Sequence, residues 1–139
     1  MSAIPAPAQT LLGSDAVAHV WTRNADGTPQ VSVVWVIAKD DEILFGTSAD
    51  SQKVKNLKRD PKIVLSIEDT ERNERGFQRH LVIRGTVELE AGPNPALMDQ
   101  LAMKYTGLAR HPLTLRDSPS MMVVRVKVER LSGEGPWVS

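Results

Sequence analysis

The residue in this sequence most suggestive of chemistry is a lysine near the start of a short predicted helix. Lys53 lies in the first turn of a segment that begins after the possible caps at 48–51 and ends at Asp60. A cation there opposes the positive end of the helix dipole, and a bound anion would remove the conflict. Thr47, Ser48 and Ser51 add hydroxyls, so the segment predicts a phosphate site. The alternative is an exposed amphipathic helix whose lysines keep it soluble.

The remaining chemical motifs are weak. The three histidines, at positions 19, 80 and 111, lack metal-ligand spacing, and the sequence contains no cysteine. The segment at 13–15 lacks the second glycine of a nucleophile elbow, and no Gly-rich dinucleotide or phosphate loop occurs. We therefore predict no metal site, and the sequence identifies no catalytic side chain. Trp137, which follows a Gly-Pro pair, either seals the core or stacks on a flat ligand.

Composition narrows the class of protein. The 139 residues fit one domain, and 17 basic residues balance 17 acidic ones, so we expect no nucleic-acid partner. No apolar run approaches the ~18 residues of a membrane span. Together with the absence of cysteine, this predicts a cytoplasmic protein without a membrane partner. Residues 1–9, with two prolines and three alanines, are expected to form a flexible arm before a domain at 10–139.

The elements that must position Lys53 are mostly strands. Period-two alternation, broken by turn residues, predicts six strands, at 16–23, 30–39, 42–47, 62–68, 81–89 and 121–131. Besides the helix that carries Lys53, a second helix is expected from the cap Asn94 and Pro95 to the terminator Gly107. Short hairpin connections leave no room for crossover helices between the first strands. The fold class is therefore α+β, mainly β, with a small antiparallel six-stranded barrel.

One predicted strand has two apolar faces, which indicates that a second molecule covers one of them. Residues 30–39 are apolar on both faces, with Val31, Val33 and Trp35 on one side and Val34 and Val36 on the other. A small barrel has only one interior, so the outer face needs a cover. The simplest cover is a second copy of the chain, which predicts a homodimer.

These elements and motifs resemble the pyridoxamine 5'-phosphate-oxidase-like flavin reductase superfamily over most of the chain. The most specific stretches are DGTPQVSVVW at 26–35, FGTS at 45–48 and KVKNLKRDP at 53–61. Within that superfamily the chain is most similar to the branch that binds the deazaflavin coenzyme F420, whose members often end in Gly-Pro-Trp. The resemblance implies an FMN-binding split β-barrel fold and a homodimer whose partner subunit closes the cofactor site.

The resemblance also assigns roles to individual residues. It implies a cofactor ring against the strand at 30–35, a phosphate at the helix that carries Lys53, and Trp137 flanking the ring. Gln30, Trp35 and Gln52 stand where FMN oxidases carry cations, and His80 stands where they carry a glutamine. Fewer cations favour a deazaflavin over FMN. The implied cofactor-binding residues are Gln30, Val33, Val34, Trp35, Thr47, Ser48, Gln52, Lys53, His80 and Trp137.

The function expected from the resemblance is an F420-dependent reductase that transfers hydride between the coenzyme and a small molecule. Two alternatives stay open: an FMN-binding oxidoreductase of the same fold, and a non-enzymatic module that holds a cofactor, haem or another tetrapyrrole. Arg72, Arg75 and Arg79 lie in a charged segment at 69–79. They either contact the acidic tail of F420 or belong to a solvated loop.

Overall fold

The computed structural model describes residues 4–111 and 117–138. Within these ranges the chain forms three helices and seven strands, joined in one antiparallel sheet of order β2-β1-β5-β6-β7-β4-β3. The α+β, mainly antiparallel architecture is as predicted, although the sheet does not close fully. The elements are α1 Ala6–Leu12, β1 Ala18–Arg23, β2 Pro29–Val34, β3 Ile37–Lys39, β4 Glu42–Ser48, α2 Gln52–Arg59, β5 Lys62–Arg72, β6 Gln78–Ala91, α3 Pro95–Thr106 and β7 Met121–Glu134.

The segment predicted as one strand at 30–39 is two strands. β2 pairs with β1 at one edge of the sheet, and β3 pairs with β4 at the other edge. Only Trp35 and Val36 connect them, so the two edges lie within about 11 Å of each other, the reach of three extended residues. The sheet must therefore curl until its edges nearly meet. We call residues 35–36 the seam.

The N-terminal segment differs from its prediction. Residues 6–12 form α1, and Ile4, Ala8 and Leu12 are buried in the core, so the expected flexible arm at 1–9 is wrong for residues 4–9. The segment has a low intrinsic tendency to fold, but its small apolar side chains pack against the sheet. This tertiary burial stabilises the helix.

The charged segment at 69–79 is mostly a hairpin rather than a loop. β5 runs to Arg72 and β6 starts at Gln78, so only residues 73–77 form the turn. Arg79 pairs with Asp69 at 3.0 Å and with Glu71 at 2.7 Å across the strands. The opposite charges that suggested a solvated loop are cross-strand ion pairs, in which Arg79 and Asp69 are partly buried.

Helix α3 has the ends predicted for it. The Asn94 side chain accepts a hydrogen bond from the Leu97 N–H at 3.1 Å, and Pro95 occupies the first turn. Gly107 ends the helix with φ 76°, a left-handed conformation that glycine adopts without strain. These caps fix where the helix begins, and so which of its side chains face the sheet.

A bulge in the long β6–β7 ladder depends on one glycine. The register shifts between Arg84 and Gly85, and a Cβ added to Gly85 would lie 2.2 Å from the Lys127 carbonyl oxygen. Backbone cannot yield as a flexible side chain can, so only glycine fits here.

Replacing this glycine should therefore destabilise the sheet. We expect Gly85→Ala to lower the free energy of unfolding by about 2–3 kcal/mol, the cost of forcing extra volume into a packed site, as measured by denaturant unfolding. The exposed neighbour Glu88 provides a control on the same strand, because Glu88→Ala should change stability by less than about 1 kcal/mol. Equal effects of the two substitutions would contradict this account of the bulge.

Candidate functional site

A cavity of about 520 Å³ opens between the seam, the end of β4, the start of α2 and one face of α3. It is polar at the α2 end, apolar on its floor and aromatic at the seam. It is lined by Val33, Val34, Trp35, Gly46, Thr47, Ser48, Lys53, Met98, Leu101, His111 and Met121.

The polar end is built by the cap of α2. Ser51 is the cap, and its hydroxyl accepts hydrogen bonds from the Val54 N–H and from the Thr47 hydroxyl, both at 3.4 Å. Ser48 Oγ accepts a hydrogen bond from the Asp50 N–H at 3.2 Å. The end therefore presents hydroxyls beside the N–H groups that a helix start leaves unpaired.

Lys53 lies in the first turn of α2, as the sequence predicted, and its side chain lines the cavity. It is half-buried, and desolvation lowers the pKa of its ammonium group. In this position the ammonium group opposes the positive end of the helix dipole and also loses part of its hydration. An anion bound beside it would relieve both costs.

The floor of the cavity is apolar and requires a glycine. Met98, Leu101 and Met121 are buried side chains that line it. A Cβ on Gly46 would lie 2.5 Å from the Met98 sulfur, so a side chain at this position would force the methionine to move. Gly46 thus allows Met98 of α3 to pack directly against β4.

The wall at the seam is aromatic. The Trp35 ring stacks on Tyr105 with centroids 5.3 Å apart and planes 5° apart, and His111 tilts against Trp35 at 5.4 Å. The His111 backbone N–H donates to Asp99 Oδ1 at 2.9 Å. Sequence analysis assigned no site role to His111 or Tyr105, because both ring contacts join segments far apart in the chain.

Six of the ten predicted cofactor residues line this cavity: Val33, Val34, Trp35, Thr47, Ser48 and Lys53. Gln30 and Gln52 instead line a neighbouring depression beside the β1–β2 turn. Gln52 also donates a hydrogen bond to Asn56 Oδ1 at 2.9 Å. The two glutamines therefore lie next to the polar end of the cavity without lining it.

Trp137 lies elsewhere and, with Arg79, helps to line a second cavity of about 490 Å³, whereas His80 is not among the described residues that line either cavity. Trp137 is 5 % exposed, and its indole N–H donates to the His80 carbonyl oxygen at 2.9 Å. The Arg79 guanidinium lies 5.3 Å from the indole centroid. Trp137 thus seals the core of its own chain, and its role beside a cofactor ring stays a prediction.

The three arginines of the β5–β6 hairpin also lie away from the 520 Å³ cavity. Arg72 donates to the Gly76 carbonyl oxygen at 3.3 Å, and Arg75 lies 5.7 Å from the Phe77 ring centroid. None of the three belongs to the described residues that line the cavity. Contact between them and an acidic coenzyme tail stays a prediction.

A buried asparagine fixes the helix that carries Lys53. The Asn56 amide nitrogen donates to Thr22 Oγ1 at 3.1 Å and to Asn24 Oδ1 at 2.9 Å, which connects α2 to β1. Sequence reasoning missed this residue. The sequence signal that could have identified it is a polar side chain beside Leu57 on the apolar edge of a short helix.

Removing that amide should loosen α2. We expect Asn56→Ala to lower the free energy of unfolding by about 2 kcal/mol, because the Thr22 hydroxyl stays buried without its partner. Thermal and denaturant unfolding would measure the loss. Lys58→Ala on the exposed face of α2 is the matched control, and a comparable loss there would contradict the role given to Asn56.

Residues 4–111 and 117–138 offer neither a metal site nor a membrane-spanning helix. No group of three or more histidine, aspartate or glutamate side chains in these ranges could hold a metal ion. None of the helices in these ranges has both the length and the hydrophobicity needed to span a bilayer.

The fold is shared with proteins of known structure. An F420 reductase of known structure is 27% identical, with 94% of this chain and 100% of the reductase aligned at a TM-score of 0.79. Two further structures share the fold. A conserved hypothetical protein from Mycobacterium tuberculosis is 24% identical, with 94% of this chain and 82% of that protein aligned at a TM-score of 0.70. HupZ from Group A Streptococcus is 21% identical, with 95% of this chain and 99% of HupZ aligned at a TM-score of 0.65.

No curated protein matches the sequence significantly. The pyridoxamine 5'-phosphate oxidase family, however, matches residues 4–134, which include every element of the sheet and all residues that line the 520 Å³ cavity. This chain belongs to the pyridoxamine 5'-phosphate oxidase family.

Proposed function

We propose that this protein is an oxidoreductase that binds the deazaflavin coenzyme F420 in the 520 Å³ cavity and transfers hydride between the coenzyme and a small molecule. The observation that carries the proposal is the composition of the cavity. A half-buried lysine at a helix start lies at one end, and an apolar floor leads from it to an aromatic wall. A phosphorylated planar ring has these same two parts.

The polar end suits a phosphate. Lys53 supplies a charge-assisted hydrogen bond, Thr47 and Ser48 supply hydroxyls, and the start of α2 supplies N–H groups and a positive dipole end. Burial lowers the pKa of Lys53, because desolvation disfavours its charged form. A phosphate beside it would stabilise the charged form.

The remaining surface suits a planar ring. Gly46 allows Met98 to pack against β4 as part of the apolar floor, Met98 and Met121 provide polarisable thioethers, and Trp35 closes the side at the seam. When bound, the coenzyme supplies the hydride chemistry. The chain itself orients the ring and keeps water away from its face, which requires no acid or base side chain.

The balance of charge favours a deazaflavin over FMN. Where FMN oxidases carry cations, this chain has Gln30, Trp35 and Gln52, so Lys53 is the one lysine or arginine among the described residues that line the cavity. The 27% identity to an F420 reductase over its whole length supports the same choice.

Titration of the purified protein with F420, and separately with FMN, tests the proposal through fluorescence quenching. We expect saturable F420 binding and much weaker FMN binding. The reverse order would support an FMN oxidoreductase of the same fold. Binding of F420 without turnover of any electrophilic substrate by the reduced coenzyme would support a non-enzymatic module.

Lys53 provides the sharpest prediction for this site. We expect Lys53→Ala to weaken F420 binding by roughly ten- to a hundredfold, the range for loss of one charge-assisted contact. Lys55, exposed on the same helix and outside the cavity lining, is the matched control. Lys55→Ala should leave the affinity within about twofold, since a distant exposed cation contributes little. Equal losses of F420 affinity in the two variants would contradict a specific role for Lys53 and indicate a non-specific charge effect.

We also propose that the protein is a homodimer formed through the face of β2. Val31 and Val33 are 58 % and 54 % exposed on an edge strand, and Val33 also lines the cavity. Exposed valines on an unpaired edge are a liability unless another chain covers them. A partner there would cover the open side of the cavity.

Substitution of Val31 tests the dimer. We expect Val31→Glu to shift the protein from dimer to monomer in sedimentation velocity, because the interface would have to bury an unpaired carboxylate. Phe77→Glu is the control, since Phe77 is equally exposed, at 54 %, but lies in the β5–β6 turn. A monomeric wild-type protein, or dissociation caused equally by both changes, would overturn the proposed interface.

A further inference from the structure

The seam leaves backbone groups that the sheet cannot pair. β2 ends at Val34 and β3 begins at Ile37, so Val36 lies outside both ladders while its side chain is fully buried. A buried backbone group without a partner is costly, and another element must supply one. Helix α3 does so. The Val36 N–H donates to Tyr105 Oη at 3.1 Å, and the Val36 carbonyl oxygen accepts from Lys104 Nζ at 2.5 Å.

The same two side chains reach the start of the chain. Lys104 Nζ donates to the Leu12 carbonyl oxygen at 2.5 Å, where α1 ends. The Tyr105 hydroxyl donates to the Ala16 carbonyl oxygen at 2.9 Å, just before β1. We call Lys104 and Tyr105 the latch, because together they tie α3 to the seam, to α1 and to the approach to β1.

The latch retains a cation where solvation is poor. Burial lowers the pKa of Lys104 to about 8, and the negative charge of Asp15 acts in the opposite direction. The Lys104 nitrogen also lies 4.7 Å from the Tyr105 ring centroid. A lysine that only kept the protein soluble would not be held among carbonyl oxygens and an aromatic face at this cost.

The latch is connected to the cavity through one ring. Tyr105 is fixed at its hydroxyl by backbone of the seam and of residue 16, and its ring stacks in parallel on Trp35. Trp35 lines the cavity, whereas neither Lys104 nor Tyr105 does. The orientation of the aromatic wall therefore depends on side chains behind it.

We propose that Lys104 and Tyr105 are positioning residues that hold the Trp35 ring in the cavity wall and thereby set the affinity for the coenzyme without touching it. The statement about affinity rests on the proposed F420 function. The statement about the Trp35 ring does not, so the two can fail separately.

The first test observes the ring without any ligand. The near-ultraviolet circular dichroism that depends on Trp35 is obtained as the difference between wild type and Trp35→Phe. We expect Tyr105→Phe, which keeps the stacked ring but loses the hydroxyl, to lose most of this signal. Lys104→Met should act in the same direction. Gln100→Met, an exposed position one turn earlier on α3, should keep the signal.

The second test measures coenzyme binding in the same variants. We expect Tyr105→Phe to weaken F420 binding by roughly tenfold, the change that corresponds to loss of one hydrogen bond's contribution, while Gln100→Met keeps wild-type affinity. Tyr105→Phe is the conservative variant, so its result decides the test if Lys104→Met does not fold.

Two results would overturn the proposal. If Tyr105→Phe lowers the melting temperature but leaves the Trp35 signal and the F420 affinity unchanged, the latch has a structural role only. If the signal changes while the affinity does not, the latch positions a ring that the coenzyme does not use. Failure of the wild-type protein to bind F420 would instead refute the proposed function, and the circular dichroism alone would then decide the positioning role.

Discussion

The junction of two residues between the edges of the sheet is the constraint on which the rest of the structure depends. β2 and β3 lie at opposite edges of seven strands, yet Trp35 and Val36 must join them. This short connection forces the curl that creates an inside and an outside. It also forces a gap in the hydrogen-bond ladders, which α3 fills through Lys104 and Tyr105. The core, the cavity and the packing of α3 all follow from that geometry.

The cavity combines pieces that are stabilised in different ways. Its polar end rests on the buried amide of Asn56, which ties α2 to β1, and its apolar floor rests on the absence of a side chain at Gly46. Lys53 alone among these pieces is held at a net electrostatic cost. A protein selected only for stability would have replaced this lysine, so its position is the strongest argument in the fold for a ligand.

The parts that could be predicted from the sequence are those determined locally. Asn94 and Gly107 mark the ends of α3 because capping involves near neighbours, and Lys53 stands out because a helix dipole acts within one turn. The seam and α1 could not be predicted, since both depend on contacts between segments far apart in the chain. The same holds for Trp137, which a resemblance placed at the cofactor but which the fold of one chain places at another cavity, and for His80, which is not among the described residues that line either cavity.

The position of β7 in the sheet has a consequence for the order of folding. β7 lies between β6 and β4, so the β3–β4 hairpin has no neighbour in the sheet until residues 121–134 are available. A nascent chain that has exposed only the first hundred or so residues can pair β1, β2, β5 and β6, but it cannot complete the curl. Such long-range pairing slows folding. The curled sheet is therefore completed only when its last strand is available, and until then the apolar strands that precede it lack part of their cover and are prone to aggregation.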